Sequence, residues 1–573
     1  MNKHILLGTT LVCALTVLSA CGGKSGGNKI DATKTQLYLY SYDGGYGSDW
    51  LRNAGKRFED TVKDVSFEEG KTGVQIIVNA DKTNSAVTSI ASFNSGTNDI
   101  YFTEGVAYNN FIASDNPLLD LTDVINETNS YDGKKIIDKL NDQYKNYYNR
   151  DGHYYALPHY AGYYGFAYSI ELFDKYGAYI GTDGKVISNR PGVEKGMGPN
   201  GKTGVIDGVD YSYDDGLPAT YDQFFTVCNF LNQKGVSPYE LTGQYAVMHL
   251  NALFRALAAD ADGASTVRVK STFDGEITAV KVDANNNPLF SDGEGGETTD
   301  GEELLTERVQ VSPSVGNRHN IYRSAGTYYA ASFMSRLMQY LPADGTNETV
   351  THLDAQSNFI YSNTQLAQKD NSGLTHNYAM LVDGPWWESE GRDFFDKSVN
   401  RLKDEAYSRK NRKFGWMPLP KPTEELVGQK NCILDHLESA VIARKSKSEE
   451  RNELIKEFIR FIHQDQELVN FAADTGVKRN LIYDIDTTTL ENCSSYVKSL
   501  LKYSSDCDAM YPGVQDTYYI NNYDSFTGFT SLKNYFATSI KGNTVGAGEA
   551  FLNNSDLTPN EWFKTFYSSK TSL

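Results

Sequence analysis

Apolar segments over residues 36–102 switch between two periodicities, and this alternation restricts the fold more than any other feature of the chain. Gln36-Leu37-Tyr38-Leu39-Tyr40-Ser41-Tyr42 predicts a first strand. Ser48 then caps a helix whose apolar stripe is Trp50, Leu51, Ala54, Phe58 and Val62. Val74-Gln75-Ile76-Ile77-Val78 predicts a second strand, a helix is expected around Ala86 to Phe93, and Asp99-Ile100-Tyr101-Phe102 predicts a third strand. A strand–helix–strand rhythm gives a parallel sheet with helices on its faces. Ligands of such sheets sit beyond the carboxyl ends of the strands. Here those ends carry Tyr42-Asp43-Gly44-Gly45 and Thr103-Glu104-Gly105.

A second α/β unit follows. Tyr163 to Ser169 is an apolar strand leading into Glu171-Leu172-Phe173-Asp174-Lys175-Tyr176-Gly177. Thr220 and Gln223 form a capping box for a helix carrying Phe224, Phe225, Val227 and Leu231, with Gly235 past its end. Ala379-Met380-Leu381-Val382 is a further strand, and Ser446 with Glu449 opens a helix striped by Leu454, Ile455, Phe458, Ile459 and Ile462. Residues 181–216 and 262–320, rich in Gly, Asp and Asn, read as loop or hairpin insertions on one lobe.

At 573 residues the chain has room for about two to four domains and a sizeable core. Its net charge of −19 disfavours a nucleic-acid backbone or an anionic membrane face as the main ligand. Tyr is abundant, with 39 residues, and combines an apolar face with a polar tip suited to amphipathic ligands. Cys228, Cys432, Cys493 and Cys507 form no Cys-x-x-Cys, so zinc ribbons and thioredoxin-type centres lack support. Cys493 and Cys507 either stay free or close a short loop, a bridge worth roughly 3 kcal/mol.

Several motifs are decoys. Gly196-Met197-Gly198-Pro199-Asn200-Gly201-Lys202-Thr203 has the letters of a phosphate loop but neither the strand before it nor the helix after it. Met380-Leu381-Val382-Asp383, which mimics a metal-binding Asp after a strand, falls with it. Asp283-Ala284-Asn285-Asn286-Asn287-Pro288 begins like a calcium loop but has Pro where the sharp turn needs Gly. There is no His-Glu-x-x-His and no Gly-x-Ser-x-Gly. No metal, cofactor or catalytic group is therefore expected.

The N-terminus is an address. Lys3 precedes a short apolar run from Ile5 to Leu18, below the roughly 20 residues of a membrane span. It ends in Leu18-Ser19-Ala20-Cys21, which resembles a bacterial lipobox. That resemblance implies a signal peptide over 1–20 and an acylated, palmitate-type anchor on Cys21. A flexible tether runs through residue 30. The expected location is extracytoplasmic, on the cell membrane.

Five segments in fixed order carry a second resemblance. They are Tyr155-Ala156-Leu157-Pro158 with Tyr164-Gly165-Phe166-Ala167-Tyr168-Ser169; Leu217-Pro218-Ala219-Thr220-Tyr221-Asp222-Gln223-Phe224; and Ala379-Met380-Leu381-Val382-Asp383-Gly384-Pro385-Trp386-Trp387. Phe414-Gly415-Trp416-Met417-Pro418-Leu419-Pro420 and Asp474-Thr475-Gly476-Val477-Lys478-Arg479-Asn480 complete the set, the last lacking the usual Pro. Over about 36–485 they resemble the ABC-transporter extracellular solute-binding proteins of family 1, the carbohydrate type.

The resemblance implies a periplasmic-binding-protein-like (type II) α/β clam, with lobe 1 over 31–157 plus 421–485 and lobe 2 over 158–420 plus 486–573. It implies a non-enzymatic, monomeric receptor that passes an oligosaccharide to the transmembrane subunits of an importer. The implied ligand-binding residues are Trp386, Trp387, Tyr245, Tyr42, Asp43, Glu104, His159, Tyr160 and Tyr163. Trp416 is expected in packing. Gly162 stands where relatives often carry an acid. A secreted glycoside hydrolase and a peptide-binding receptor are the rival readings.

Overall fold

A computed structural model of the chain describes residues 30–82, 89–106, 108–113, 116–198, 205–206, 209–210, 216–312, 316–342, 345–369, 373, 375–435, 437–510, 536–540 and 542–571. Two sheets organise it. Their strands are β1 (Thr35–Tyr42), β2 (Val74–Asp81), β3 (Ile100–Thr103), β4 (Ala156–Pro158), β5 (Gly165–Ser169), β6 (Ser237–Glu240), β7 (Tyr378–Asp383), β8 (Phe414–Met417) and β9 (Ala440–Ala443).

The first sheet runs β2-β1-β3-β9-β4. β1 is parallel to both β2 and β3, pairing Thr35 to Val74 through Tyr42 to Asp81, and β9 is antiparallel to both β3 and β4. The second sheet runs β6-β7-β5-β8, with β6 parallel to β7 and β5 antiparallel to β7 and β8. β7 is buried along its whole length, as a continuous apolar run covered on both faces requires. The chain crosses between the sheets from β4 to β5 and again from β8 to β9.

β8 is an edge strand, and its free amides are covered. Phe414 N donates to Ser495 Oγ at 3.1 Å and Trp416 N donates to Ser499 Oγ at 2.8 Å, both serines on the helix Ser495–Asp506. Side-chain acceptors at this spacing remove a template for unwanted strand pairing.

The expected strands and helices are present, with differences at their ends. The second helix begins at Ile90 with Ser89 as its cap; residues 83–88 of the expected span lie outside the described residues. The helix Glu449–Ile462 is capped by Ser448, which accepts from Arg451 N, and not by Ser446. Thr220 accepts from Gln223 N at 3.3 Å, but Gln223 reaches back to Ala219 N at 2.8 Å, one residue outside a capping box.

The insertion at 262–320 is a loop only in part. Its first residues belong to the helical span Ala246–Thr272, two helices that meet at a kink where Gly263 is non-helical (φ 73°). The antiparallel hairpin Gly275–Val280 and Thr306–Val311 follows. The helices Ala547–Asn553 and Pro559–Ser568 pack in the second core. There Trp562 is fully buried, 5.0 Å from Phe254 and stacked 5.0 Å from Phe566.

All four body cysteines are free thiols. Cys493 and Cys507 stand at opposite sides of the 12-residue helix Ser495–Asp506. At about 1.5 Å per residue they are far beyond disulfide reach, so the short-loop bridge is excluded. Most of the phosphate-loop letters, from Pro199 onward, lie outside the described residues. Asp283 is used internally: its carboxylate accepts from Asn285 N and Asn287 N, both at 2.8 Å. Among the described residues no His, Cys, Asp and Glu group is arranged to hold a metal, and no helix is long and apolar enough to cross a membrane.

Candidate functional site

The carboxyl ends of β1 and β3 face the turn that follows β7, and aromatic and acidic side chains from both sheets meet there. From the first sheet come Tyr42, Asp43 and Tyr46 after β1 and Glu104 after β3. From the second come Tyr164 before β5 and Asp383, Trp386 and Glu390 at and after the end of β7. The two loops approach very closely. Gly45 takes φ 53°, and a Cβ there would stand 3.0 Å from the Trp386 Cβ; one on Gly384 would lie 2.3 Å from the indole. Glycine at both positions lets backbone slide against the Trp386 ring.

Trp386 is half-buried, with Tyr46 and Tyr164 edge-on at ring distances of 6.4 and 5.4 Å. Tyr46 also meets Tyr160 edge-on at 4.8 Å, and the Tyr160 hydroxyl donates to Glu104 Oε1 at 2.7 Å. Gly45 N donates to Glu390 Oε1 at 3.0 Å, linking the two sheets' loops. Gln356 Nε2 donates to both Asp383 Oδ2 (3.1 Å) and Glu390 Oε2 (2.9 Å). Burial and the Glu390 charge push the Asp383 carboxyl up to about 7. Burial, then Glu104 and Glu390, push the Tyr42 phenol up to about 12.

No family model matches the chain, and no curated protein matches its sequence. Solved structures do resemble it. A chitin oligosaccharide binding protein aligns with TM-score 0.52 and 14% identity, over 94% of this chain and 98% of that one. A structure from work on xylan utilization by the thermophilic bacterium Caldanaerobius polysaccharolyticus aligns with TM-score 0.51 and 12% identity, over 93% of this chain and 99% of that one. The chain has the two-lobed periplasmic-binding-protein-like fold. At such identities the likeness is one of fold.

The seam just described lies where the loops at the ends of the two sheets meet. Tyr42, Glu104, Tyr160 and Trp386 are gathered there. Asp43, half-buried, continues the ladder beside Tyr42, its N–H donating to Asp81 O at 2.7 Å. Tyr245, 38% exposed, stands at the rim 5.6 Å from the His352 ring, and His352 Nε2 is 4.0 Å from Glu390 Oε1.

Three expected residues lie elsewhere. Trp387 is 0% exposed and packed at 5.0–5.2 Å against Phe359, Phe414 and Tyr496. One residue further along the turn, its ring points to the opposite side from Trp386. His159 is 2% exposed among Trp50, Phe102 and Phe471, and its Nδ1 accepts from Arg479 Nε at 3.2 Å. Burial and the Arg479 charge hold this imidazole well below its ordinary range, so it is a neutral core acceptor. Tyr163 turns behind the crossing segments, edge-on to Trp416 at 5.6 Å, and lines a cavity of about 160 Å³ with Arg479 and Ser504. Trp416 itself is 1% exposed, in packing as expected.

Gly162 resolves differently from the family pattern. A Cβ there would stand 2.1 Å from Leu437 side-chain carbon, so no acidic side chain fits. Instead Gly162 N donates to Asp435 Oδ1 at 2.7 Å, the acid arriving from the other crossing segment. Sequence reasoning also missed Tyr46, Tyr164, Gln356 and Glu390 as site residues. Glu390 had one legible signal, its position four residues after Trp386 on the same short turn of helix. Gln356 had none.

Proposed function

We propose that this protein is a lipid-anchored solute-binding receptor that captures an oligosaccharide between its lobes and presents it to an ABC importer. One observation carries the reading: aromatic faces and carboxylates from both lobes converge at the strand ends of a clam fold. A sugar ring has an apolar C–H face for Trp386, Tyr42 and Tyr245, and a rim of hydroxyls for Glu104, Glu390 and Asp43. Gly45 N to Glu390 and Arg392 to Asp49 (3.0 Å) are contacts that lobe closure makes. Differential affinity for the closed form is what moves the lobes. The lobe boundaries proposed are 31–157 plus 421–485 and 158–420 plus 486–573. The receptor acts as a monomer without a cofactor, outside the cytoplasm, held by acylated Cys21; residues 1–29 lie outside the described residues.

A hydrolase reading has one observation in its favour, the raised Asp383 beside Glu390. Both carboxylates, however, accept from the same Gln356 Nε2, so the oxygens that face each other are bridged by a protein amide. The deciding experiment titrates the mature protein with a panel of oligosaccharides, follows compaction by solution scattering and analyses the recovered sugar. Tight binding, compaction and unchanged chain length are expected, with about 2.7 kcal/mol of stabilisation at 100 times the dissociation constant. Shorter sugars released with turnover overturn the receptor; binding without compaction removes the closure. Cys21→Ala is expected to move the protein out of the membrane fraction.

A further inference from the structure

Four of the eight large apolar side chains that stand exposed among the described residues lie together beside the seam. They are Tyr245 (38% exposed), Val247 (40%), Met248 (51%) and Leu353 (36%). The other four, Ile30, Val65, Met197 and Ile482, belong to separate segments. Single exposed apolar side chains are ordinary, whereas a contiguous group marks an interaction site.

The group is a built platform. Tyr245, Val247 and Met248 open the helical span Ala246–Thr272, and Leu353 is in the first turn of the helix His352–Tyr361. Backbone contacts pin the two helix starts together. Gln244 N donates to Val350 O at 3.0 Å, and Thr242 Oγ1 donates to the same carbonyl at 3.2 Å. Gly243 runs so close to the second loop that a Cβ there would stand 2.0 Å from Asn347 O. A capping box between Thr351 and Asp354 fixes the second start. The Tyr245 ring thereby comes to 5.6 Å from the His352 ring, next to Leu353. Met248, three residues on, shares a side of its helix with Tyr245.

Printed distances join this platform to Trp386 by two routes. His352 Nε2 is 4.0 Å from Glu390 Oε1, which accepts from Gly45 N at 3.0 Å, and Gly45 abuts Trp386. On the buried side of the same helix start, His249 packs edge-on against Tyr164 at 4.9 Å, and Tyr164 against Trp386 at 5.4 Å. Size and chemistry decide what covers it. Four side chains exposed by a third to a half offer on the order of a few hundred Å² of apolar surface. A stable protein interface takes about 800 Å² from each partner, so the platform is small for one. It suits the C–H face of one or two sugar rings, with the exposed Gln244 and half-buried His352 beside it for their hydroxyls.

We propose that the ligand is an oligosaccharide chain that outruns the seam, and that its outer rings lie on the platform of Tyr245, Met248 and Leu353. The seam reads the inner rings, and the platform adds affinity with chain length. It discriminates little between sugars, because the flexible Met248 and the aliphatic Leu353 offer no strong hydrogen-bonding group. This assignment rests on the oligosaccharide-receptor reading.

The test is calorimetry of the mature protein with four homologous series, each from two to six rings: β-1,4-linked glucose, N-acetylglucosamine and xylose, and α-1,4-linked glucose. Within the series that binds, affinity is expected to rise at least about tenfold from the disaccharide to the longest chain. The double variant Met248→Ser with Leu353→Ser changes exposed side chains, and melting curves establish that it is folded. It is expected to lose most of that gain, about tenfold on the longest chain, while the disaccharide stays within about twofold of wild type. Tightest binding by a sugar of one or two rings overturns the proposal and leaves the receptor standing. So does an equal loss at every chain length, which would place the effect in the seam. Sugar affinities unchanged in the folded variant also overturn it; if import by cells then falls, the platform belongs to a protein partner. If no sugar of any length binds, the receptor reading falls together with this one.

Discussion

Asp260 beside the crossing segments and Asp383 at the seam are both buried carboxylates, and their surroundings treat them in opposite ways. In the crossing region Asp260, 2% exposed on the helix Ala246–Thr272, accepts from Lys421 Nζ at 2.8 Å and from Asn431 Nδ2 and Cys432 N, both at 2.9 Å. A full positive charge and two neutral donors satisfy it. At the seam Asp383 and Glu390 share one amide and repel each other. The first arrangement holds the β8–β9 crossing to lobe 2 in one register. The second raises the Asp383 carboxyl where the loops of the two sheets meet. Burial against a countercharge fixes a register, whereas burial beside a second carboxylate raises a pKa and makes the region sensitive to protonation.

Four experiments sharpen that contrast. The largest effect is expected from Lys421→Ala, which strands the Asp260 charge with only neutral donors: about 3–5 kcal/mol lost in chemical denaturation. A loss below 1 kcal/mol would mean the crossing does not depend on the pair.

The pH dependence comes next. Asp383 rises from 3.8 to about 7 on folding, so the native state holds a proton that the unfolded chain has released. Its contribution is complete below pH 4 and is lost as pH climbs through 7, by at most about 4 kcal/mol at 1.36 kcal/mol per pKa unit. Asp435, buried in the crossing and likewise raised to about 7, adds in the same direction. Melting between pH 5 and 8 is expected to show stability falling, and Asp383→Asn to flatten the fall. An equally steep fall in that variant refutes the assignment.

Adjacent tryptophans give the third test. Trp386→Ala is expected to cost about 2–4 kcal/mol of ligand binding, or roughly 30- to 1000-fold. Trp387→Ala is expected to cost about 3–5 kcal/mol of stability instead. Equal effects of the two on affinity in folded protein would move the site. The smallest effect is expected from Arg392→Ala, whose ion pair with Asp49 joins two exposed side chains: within about 0.5 kcal/mol of wild type in melting.

Much of the scaffold was legible. The alternating run at Gln36–Tyr42, the continuous apolar run at Ala379–Val382 and the helical stripe from Leu454 to Ile462 place β1, β7 and the helix Glu449–Ile462 to within a residue or two. Local chemistry failed where two signals compete. Ser446 and Ser448 both qualify as caps, and which one accepts depends on where the preceding strand releases the chain. Gly263 beside Asp260 and Asp262 does break the helix, but a second helix resumes directly after it, and Asp262 at the break is held by Lys270 at 2.5 Å and Ser324 at 2.8 Å, contacts 8 and 62 residues away that no local pattern shows. In the site, Trp386, Tyr42, Glu104 and Tyr160 follow from their places after or between strands. Trp387 and His159 have the same chemistry as ligand-binding residues and differ only in which way they face.

Strand and helix order, the strand ends and the aromatic and acidic residues placed on them are properties of the sequence by itself, because periodicity and turn residues act over a few neighbours along the chain. The pairing of Gly45 with Glu390, the convergence of Asp383 and Glu390 on Gln356, and the hydrogen bond of Gly162 to Asp435 were decided only by tertiary structure. Each joins residues from separate elements, and the Gly45 and Gly162 contacts span 345 and 273 residues. Charge and hydrogen bonding act over a few ångströms of space, and no local pattern records which distant side chains the folded backbone brings within that range.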